Sequence, residues 1–592
     1  MGCGSLEILE KREPNEIPAI YEVKEELKED LKIEIKEEEE LIINGANIGT
    51  EFICIYNNED HNIFNSFNDI DLEEYGEESK SIYQKCKSNL EDIKNKVSYE
   101  INSNEIKFKV MEFIPDFKFI YFHTKNMKTI KLTNFDISHC DNISSLFIFC
   151  YSLEYLDLSN LNTTNIIDMS FMFSGCSNLK KIDGLNSFNT DNVINMKSMF
   201  QKCTSLEYLT LNNFNTKNTN DISFMFNMCS NLKQIDGLNN FNTKNVLNME
   251  SMFQSCNSLS ILDLSNFNTV NVTNVSNLFN ECFELKEIKG INSFNTENLI
   301  NMEGMFKSCK LIEVLDLSNF NTDKVTNMSF LFHKCHKLSE IKGLNNFNTK
   351  NVCDMKCIFQ KCWKIKNLDL SNFDTKNVLD MSFMFNECSI LKEIKGLTNF
   401  NTEKVTNMKA MFQSCLSLEY LNLSSFNTKN VTDMSFMFNK SHNLKSIKGL
   451  GKFNTMNVTN MSYMFSECSN IKGYFDLSNF NTSKVIDMSF MFNECSQIVE
   501  IKGLTNFNTE KVTNMSTQFQ LCSSLKYLDL SHFNTKNVKD MSFMFNKCNN
   551  LNEIKGFNKL KIKNVQNKEN ILYKCPLSAS LDLSNFIVKG AN

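Results

Sequence analysis

The chain has 592 residues and a formal net charge of −8, with 42% hydrophobic and 22% charged residues. That length could hold several ordinary domains, yet there are only four prolines and Arg12 is the one arginine. Without guanidinium forks for phosphates or base edges, the composition argues against sequence-specific nucleic-acid binding.

Met1-Gly2-Cys3-Gly4-Ser5-Leu6 opens the chain with neither the basic n-region nor the apolar h-region of a secretion signal. Met-Gly-Cys is similar to the start of proteins myristoylated on glycine and palmitoylated on the next cysteine. Gly2 and Cys3 are therefore candidate lipidation sites, although Leu6 stands where Ser or Thr is usual. Two acyl chains would anchor stably where one holds only marginally. Residues 1–40 form an acidic segment whose Glu/Lys run, Glu22 to Glu40, reads as solvated. Residues 41–123 alternate strand-like and helical patterns: Ile42-Ile43, 52–56 and 106–110 as strands, 79–97 as a helix. A small α/β cap is expected there, because the first coil of a stack needs its open core covered. Residues 1–123 hold 29 acidic and 14 basic residues, and the remainder 41 and 48. Acidic head and mildly basic body can attract one another, or the body an anionic surface.

From Thr124 to Asn592 one phrase returns every 26 or 27 residues, closing on Cys150, Cys176, Cys203 and so on to Cys575. So short a unit cannot bury its own apolar face and must stack on its neighbours. Leu153, Leu156 and Leu158 set a short strand and the bend before it. Met169, Met172, Phe173 and Cys176, at i, i+3, i+4 and i+7, predict one face of a short helix. Between them Phe-Asn-Thr, as at Phe188-Asn189-Thr190, offers side chains that bond turn backbones and tie coils together. Every second coil gains one residue and a glycine, among them Gly184, Gly343 and Gly503, the signature of a bulge at positive φ. The other coils place an aromatic five before the closing slot: Phe171, Phe224, Phe330, Phe383, Phe436, Phe490 and Phe543, with Asn277 as the break. The glycine-type coils put small residues there, such as Ser198, Ser251, Gly304, Cys357 and Ala410, and Tyr463 is the exception. Large over small predicts that each ring leans on its neighbour; the competing reading makes the row a candidate binding surface.

A cysteine at one interior slot per coil behaves as a small buried hydrophobe, and Ser441 in that slot agrees. His333, Cys335 and His336 with Cys353, Cys357 and Cys362 invite a zinc reading. No C-x-x-C pair accompanies them and two of these cysteines belong to the column, so no metal site is assigned. No phosphate loop, nucleophile elbow or repeated His/acid pairing is present; neither catalysis nor a cofactor is expected.

The phrase resembles the 26-residue bacterial surface protein repeat and is similar to BspA-type leucine-rich repeats over Thr124–Asn592. The resemblance implies an α/β solenoid, a leucine-rich-repeat-like stack of about seventeen strand-plus-helix coils, with a role in binding or adhesion. One departure is plain: three residues after Leu158, where such repeats carry asparagine, stands Leu161, and Asn162 follows. Three functions fit. One is a non-enzymatic protein–protein interaction scaffold, tethered through Gly2 and Cys3 to the cytoplasmic face of a membrane. The others are a cell-surface adhesin and a soluble cytosolic rod. Asn-x-Ser/Thr at Asn271, Asn327, Asn430, Asn457 and Asn514 favours an address without N-glycosylation, since these slots fall where coils stack.

Overall fold

The computed structural model describes residues 51–56, 97–102, 105–110, 127–138 and 140–579. Four strands open it: β1 (Glu51–Tyr56), β2 (Val97–Asn102), β3 (Glu105–Val110) and β4 (Met127–Asn134). They pair antiparallel in the order β2-β3-β1-β4. Beyond β4 the ladder turns parallel, through β5 (Tyr155–Asp157) and β6 (Lys181–Asp183). The opening sheet and the first coils thus share one hydrogen-bonded surface. The strands expected at 52–56 and 106–110 are β1 and β3. The expected strand at Ile42-Ile43 lies outside the described residues. So does the helix expected at 79–97, apart from Val97, which opens β2.

The repeat forms a β-solenoid of about sixteen coils, with sixteen parallel bridges from Asn142↔Asp168 to Asp540↔Asn567 marking a second ladder. Each strand is three residues long in most coils. Its central leucine or isoleucine faces in, and its flanks face out. Period-two alternation explains this: one face of the ladder covers the core and the other meets water.

The Met-x-x-Met-Phe-x-x-Cys segment is not a helix, which corrects the strand-plus-helix expectation. Met169, Phe171, Phe173 and Gly175 donate their N–H groups to Asn195, Lys197, Met199 and Gln201 of the next coil, at 2.7 to 3.0 Å. Met172, Ser174 and Cys176 bond three residues back, to Met169, Phe171 and Phe173. Alternate donors therefore serve the neighbour and the turn, whereas a helix would spend all of them on itself. The chain achieves this by placing Phe171 at φ 56° and Gly175 at φ 80°. The apolar side chains still share a face, and Met169, Met172, Phe173 and Cys176 are fully buried.

Inside, identical residues stack on themselves. Phenylalanine rings run from Phe147 to Phe545 with centroids 5.2 to 6.0 Å apart and nearly parallel. From Cys176 to Cys548 each closing cysteine donates its thiol to a phenylalanine carbonyl of the preceding coil, as Cys176 does to Phe147 and Cys335 to Phe306 at 3.1 and 3.0 Å. Ser441 makes the same bond to Phe412 at 2.8 Å, so serine substitutes without loss of a partner. The cysteines of the column are free thiols, and burial pushes Cys335 and Cys362 well above the ordinary range. Such thiols are inert rather than reactive.

The Phe-Asn-Thr turn ties coils together as its chemistry requires. Thr163 Oγ1 donates to the Asn189 carbonyl (3.0 Å) and accepts the Asn189 N–H (2.8 Å). An asparagine ladder is present too, but two residues past the threonine: Asn192, Asn218 and Asn245 donate Nδ2 to carbonyls of the coil before. The glycine of every second coil has positive φ but opens a three-residue 3-10 turn, as Gly184 does before Leu185–Ser187, rather than a bulge. A Cβ on Gly343 would lie 2.4 Å from Ser318 Cα of the preceding coil, so shape and conformation both demand glycine. The true bulge falls at Gly473, where the pairing register shifts as the extra residue enters.

Candidate functional site

The corner leading into each closing cysteine combines left-handed backbone with partial exposure. Phe171, Phe224, Phe330, Phe383, Phe436, Phe490 and Phe543 all lie between φ 56° and 60°. A bulky residue there is strained, and Asn277, at φ 54° in the same slot, needs no such strain. Phe171 is buried and the other six are half-buried. Beneath them Ser198, Ser251, Cys357 and Ala410 are at most 3% exposed, so the small slots are covered. At the break in the row, a Cβ on Gly304 would lie 2.6 Å from Asn277 Oδ1; asparagine and glycine depart from the pattern together. Tyr463 is the opposite departure. Its ring fills the slot between Phe436 and Phe490, stacked on each at 4.5 and 4.3 Å.

The residue just after the closing cysteine is Ser177, Thr204, Ser230 and Asn257 in four successive coils. In the next four it is Phe283, Lys310, His336 and Trp363. These side chains pair off across the coils. Lys310 Nζ sits 3.8 Å above the Phe283 ring, and the His336 and Trp363 rings stack at 3.8 Å within 5° of parallel. Trp363 is 40% exposed and the other three are half-buried. Cation–π contact and ring stacking are each worth about 0.5–1 kcal/mol at such a site, enough to order the side chains.

Positive charge surrounds this patch. Among the described residues Lys307, Lys310, Lys334 and Lys337 have no carboxylate within 4.0 Å, whereas Lys361 meets Glu387 at 3.4 Å. Lys307 instead lies 5.6 Å from the Phe330 ring, as does Lys356. Burial holds the His336 imidazole below its ordinary range, and Lys310, Lys361 and Lys334 add to it. His333, 7% exposed beside Phe330, is pushed down to about 3 by burial and then by Lys334 and Lys307. Both imidazoles are therefore neutral near pH 7. Elsewhere the His333 slot holds a ladder of amides, with Gln360 donating to Asn386 and Asn386 to Gln413. The patch thus departs from the repeat in two columns at once.

The structure does not gather the sequence's zinc candidates. Cys335 and Cys362 point inward to carbonyls, Cys357 is buried in a small-residue slot, and Cys353 is half-buried near the Asn351 carbonyl. Among the described residues no group of three His, Cys, Asp or Glu side chains could hold a metal ion. Gly2 and Cys3 lie outside the described residues. The patch escaped the sequence reading because its members are 26 or 27 residues apart. Its signal was present nonetheless: Trp363 is the chain's one tryptophan, and it breaks a Ser/Thr/Asn column.

Known proteins add the following. No curated protein matches the chain. A leucine-rich repeat protein from Eubacterium ventriosum, solved by crystallography, aligns at 14% identity and a TM-score of 0.25, covering 55% of this chain and 83% of that one. A repeat family matches residues 115–235, 206–313, 300–416, 389–499 and 472–586 in overlapping succession. With nearly the whole stack matched, the chain belongs to the family described as "Mycoplasma protein of unknown function, DUF285".

Proposed function

We propose that the protein is a non-enzymatic protein–protein interaction scaffold whose recognition surface is the patch around Phe283, Lys310, His336 and Trp363. One observation carries this reading. A stack built of near-identical coils places three aromatic rings and Lys310, which has no carboxylate within 4.0 Å among the described residues, at successive slots that most other coils fill with serine, threonine or asparagine. Exposed aromatic and cationic groups on a rigid frame are the ingredients of an interface centre. The outer phenylalanine row serves chiefly to cover the small residues beneath it, with its outer edges widening the same face.

The test compares proteins retained from the native host by the parent chain and by a Lys310→Glu, Trp363→Ser variant. Loss of a specific partner with a melting temperature within a few degrees of the parent's is expected; an identical set of partners overturns the patch as recognition surface. Replacing Phe330, Phe383 and Phe436 together by serine should lower the melting temperature by several degrees, since buried small residues lose their cover. An unchanged midpoint would move the row from packing to recognition.

We further propose that acyl chains on Gly2 and Cys3 hold the scaffold at the cytoplasmic face of a membrane. Asn271, Asn430 and Asn457 support such an address, because each spends its Nδ2 on a carbonyl of the coil before. Intact-mass measurement of the native protein decides: a myristoyl increment is expected, and an unmodified or exported and trimmed chain removes the tether.

A further inference from the structure

We propose that the coils closing at Cys548 and Cys575 dock on a membrane surface of anionic lipid headgroups, through the corner that carries Lys536, Lys539, Lys559, Lys561 and Lys563. The inference goes beyond the patch around Trp363 and does not depend on acyl chains at Gly2 and Cys3. Charge comes first. Residues 523–575 hold ten lysines and four acidic residues, a net of +6 out of the +7 that residues 124–592 carry (48 basic, 41 acidic). Concentration at one corner comes second. Each coil turns there through its Phe-Asn-Thr phrase; the slots run from His532 to Lys539 in one coil and from Lys559 to Gln566 in the next. Together they hold five lysines, all exposed, and no acidic residue. No earlier coil puts more than one lysine in these slots, and Glu297, Asp323, Glu403 and Glu510 are among the carboxylates found there. Among the described residues none of the five has a carboxylate within 4.0 Å; the ion pair of these coils joins Lys555 to Asp529 on the strand face. Lys536 and Lys563 share a slot in adjacent coils, about 4.8 Å apart along the rod, well inside a screening length of about 10 Å. The five charges therefore act as one field.

The chemistry of the corner selects the partner. Lysine ammonium groups are point charges that suit a surface of many mobile headgroups, whereas arginine forks hold one phosphate in fixed geometry. The stack contains no arginine. The N–H groups of Lys536, Lys539 and Gln566 are spent on Asn534 Oδ1 and on the Thr513 and Lys539 carbonyls, so they form no nest for a single anion. Phe533 and Leu560, the large apolar residues of the two turns, are buried. No ring at this corner is left to stack on a nucleic-acid base or to anchor a protein partner. That separates it from the patch, where lysines stand among rings, and from Lys445 and Lys502, which lie 5.6 and 5.0 Å from the exposed rings of Tyr420 and Tyr474.

The test sediments the full-length chain, made without acylation, with vesicles of about 30% phosphatidylserine in phosphatidylcholine. Binding to these vesicles, none to phosphatidylcholine alone, and release by about 0.5 M salt are expected. Each lysine near an anionic bilayer is worth about fivefold in partitioning, so Lys536→Gln, Lys539→Gln, Lys561→Gln and Lys563→Gln together should weaken it at least about a hundredfold. Arginine at the same four positions should preserve binding, because charge rather than shape is read; Lys310→Gln with Lys337→Gln should preserve it too. A parent chain that stays in the supernatant, or that binds neutral vesicles equally, overturns the proposal. So does equal binding by the parent and the four-Gln variant. Mixed-sequence RNA that frees the chain from the vesicles at an equal phosphate concentration also overturns it, by assigning the corner to nucleic acid.

Discussion

Phe332 and His336 are four residues apart and obey opposite rules. Phe332 belongs to a column that repeats in every coil, fully buried, with its ring between Phe306 and Phe359 at 5.9 and 5.7 Å. His336 sits in a column that changes from coil to coil and faces solvent against Trp363. Interior slots are bounded above and below by the same slot of the adjacent coils, so a change in one must be absorbed by two neighbours. Solvent-facing slots carry no such constraint. Uniformity along this chain therefore reports burial, and departure from uniformity marks where chemistry beyond packing can be placed.

The largest break in that contrast comes from Phe332→Ala. Emptying a fully buried phenylalanine slot costs about 3–5 kcal/mol, and in a linear stack it loosens the coupling between the halves on either side. A broadened or two-step denaturation curve is expected; a profile identical to the parent's would place the ring outside the core. Glycines test the same rule through the backbone. Gly343, at φ 78° and with the preceding coil in the way of a Cβ, should lose about 2 kcal/mol or more as alanine, seen as a lower urea midpoint. Gly451, with nothing within 4 Å of its Cβ position, should stay within about 0.5 kcal/mol of the parent.

A subtler effect concerns the bridge ladder, where Asp354 and Asp380 are direct neighbours without the asparagine that lies between most of its aspartates. Burial first, then Asp380 and Glu303, raises the Asp354 carboxyl to about 6 from an ordinary 3.8, against the pull of the Lys356 N–H and ammonium. The folded chain thus holds this proton more tightly than the unfolded one. Its contribution is fully present below pH 3.8 and declines as pH rises through about 6. Asp354→Asn should stabilise the protein relative to the parent above pH 6, and the gain should vanish near pH 4; urea midpoints across that range check it. The last effect is small and belongs to the solvent-facing column. Trp363→Ser should cost no more than about 1 kcal/mol, the worth of its ring stack on His336, and a larger loss in thermal melts would mean the patch is part of the core after all.

Legibility in the sequence followed the same division. The period, the buried Phe, Met and Cys columns, the inert cysteines and the turn-binding threonines could be read from spacing alone, because each residue's environment is its own copy one coil away. The segment Met169 to Cys176 was misread as helical for a definite reason. Spacing at i, i+3, i+4 and i+7 reveals which side chains share a face, but not whether a backbone N–H is spent three residues back or on the next coil. The asparagine ladder is likewise missing from the usual place after the strand, where Leu161 stands, and lies instead after the threonine, at Asn192, Asn218 and Asn245.

By itself, then, the sequence determined that this protein is a stack and which residues fill its interior, since a short period leaves no other way to bury so many apolar side chains. Only the tertiary structure decided the form of the corner backbone and the place where the stack can recognise something else. Both depend on partners 26 or 27 residues away: N–H groups reach the adjacent coil only once it is in place, and Lys310 meets Phe283, or His336 meets Trp363, only when successive coils lie one upon another.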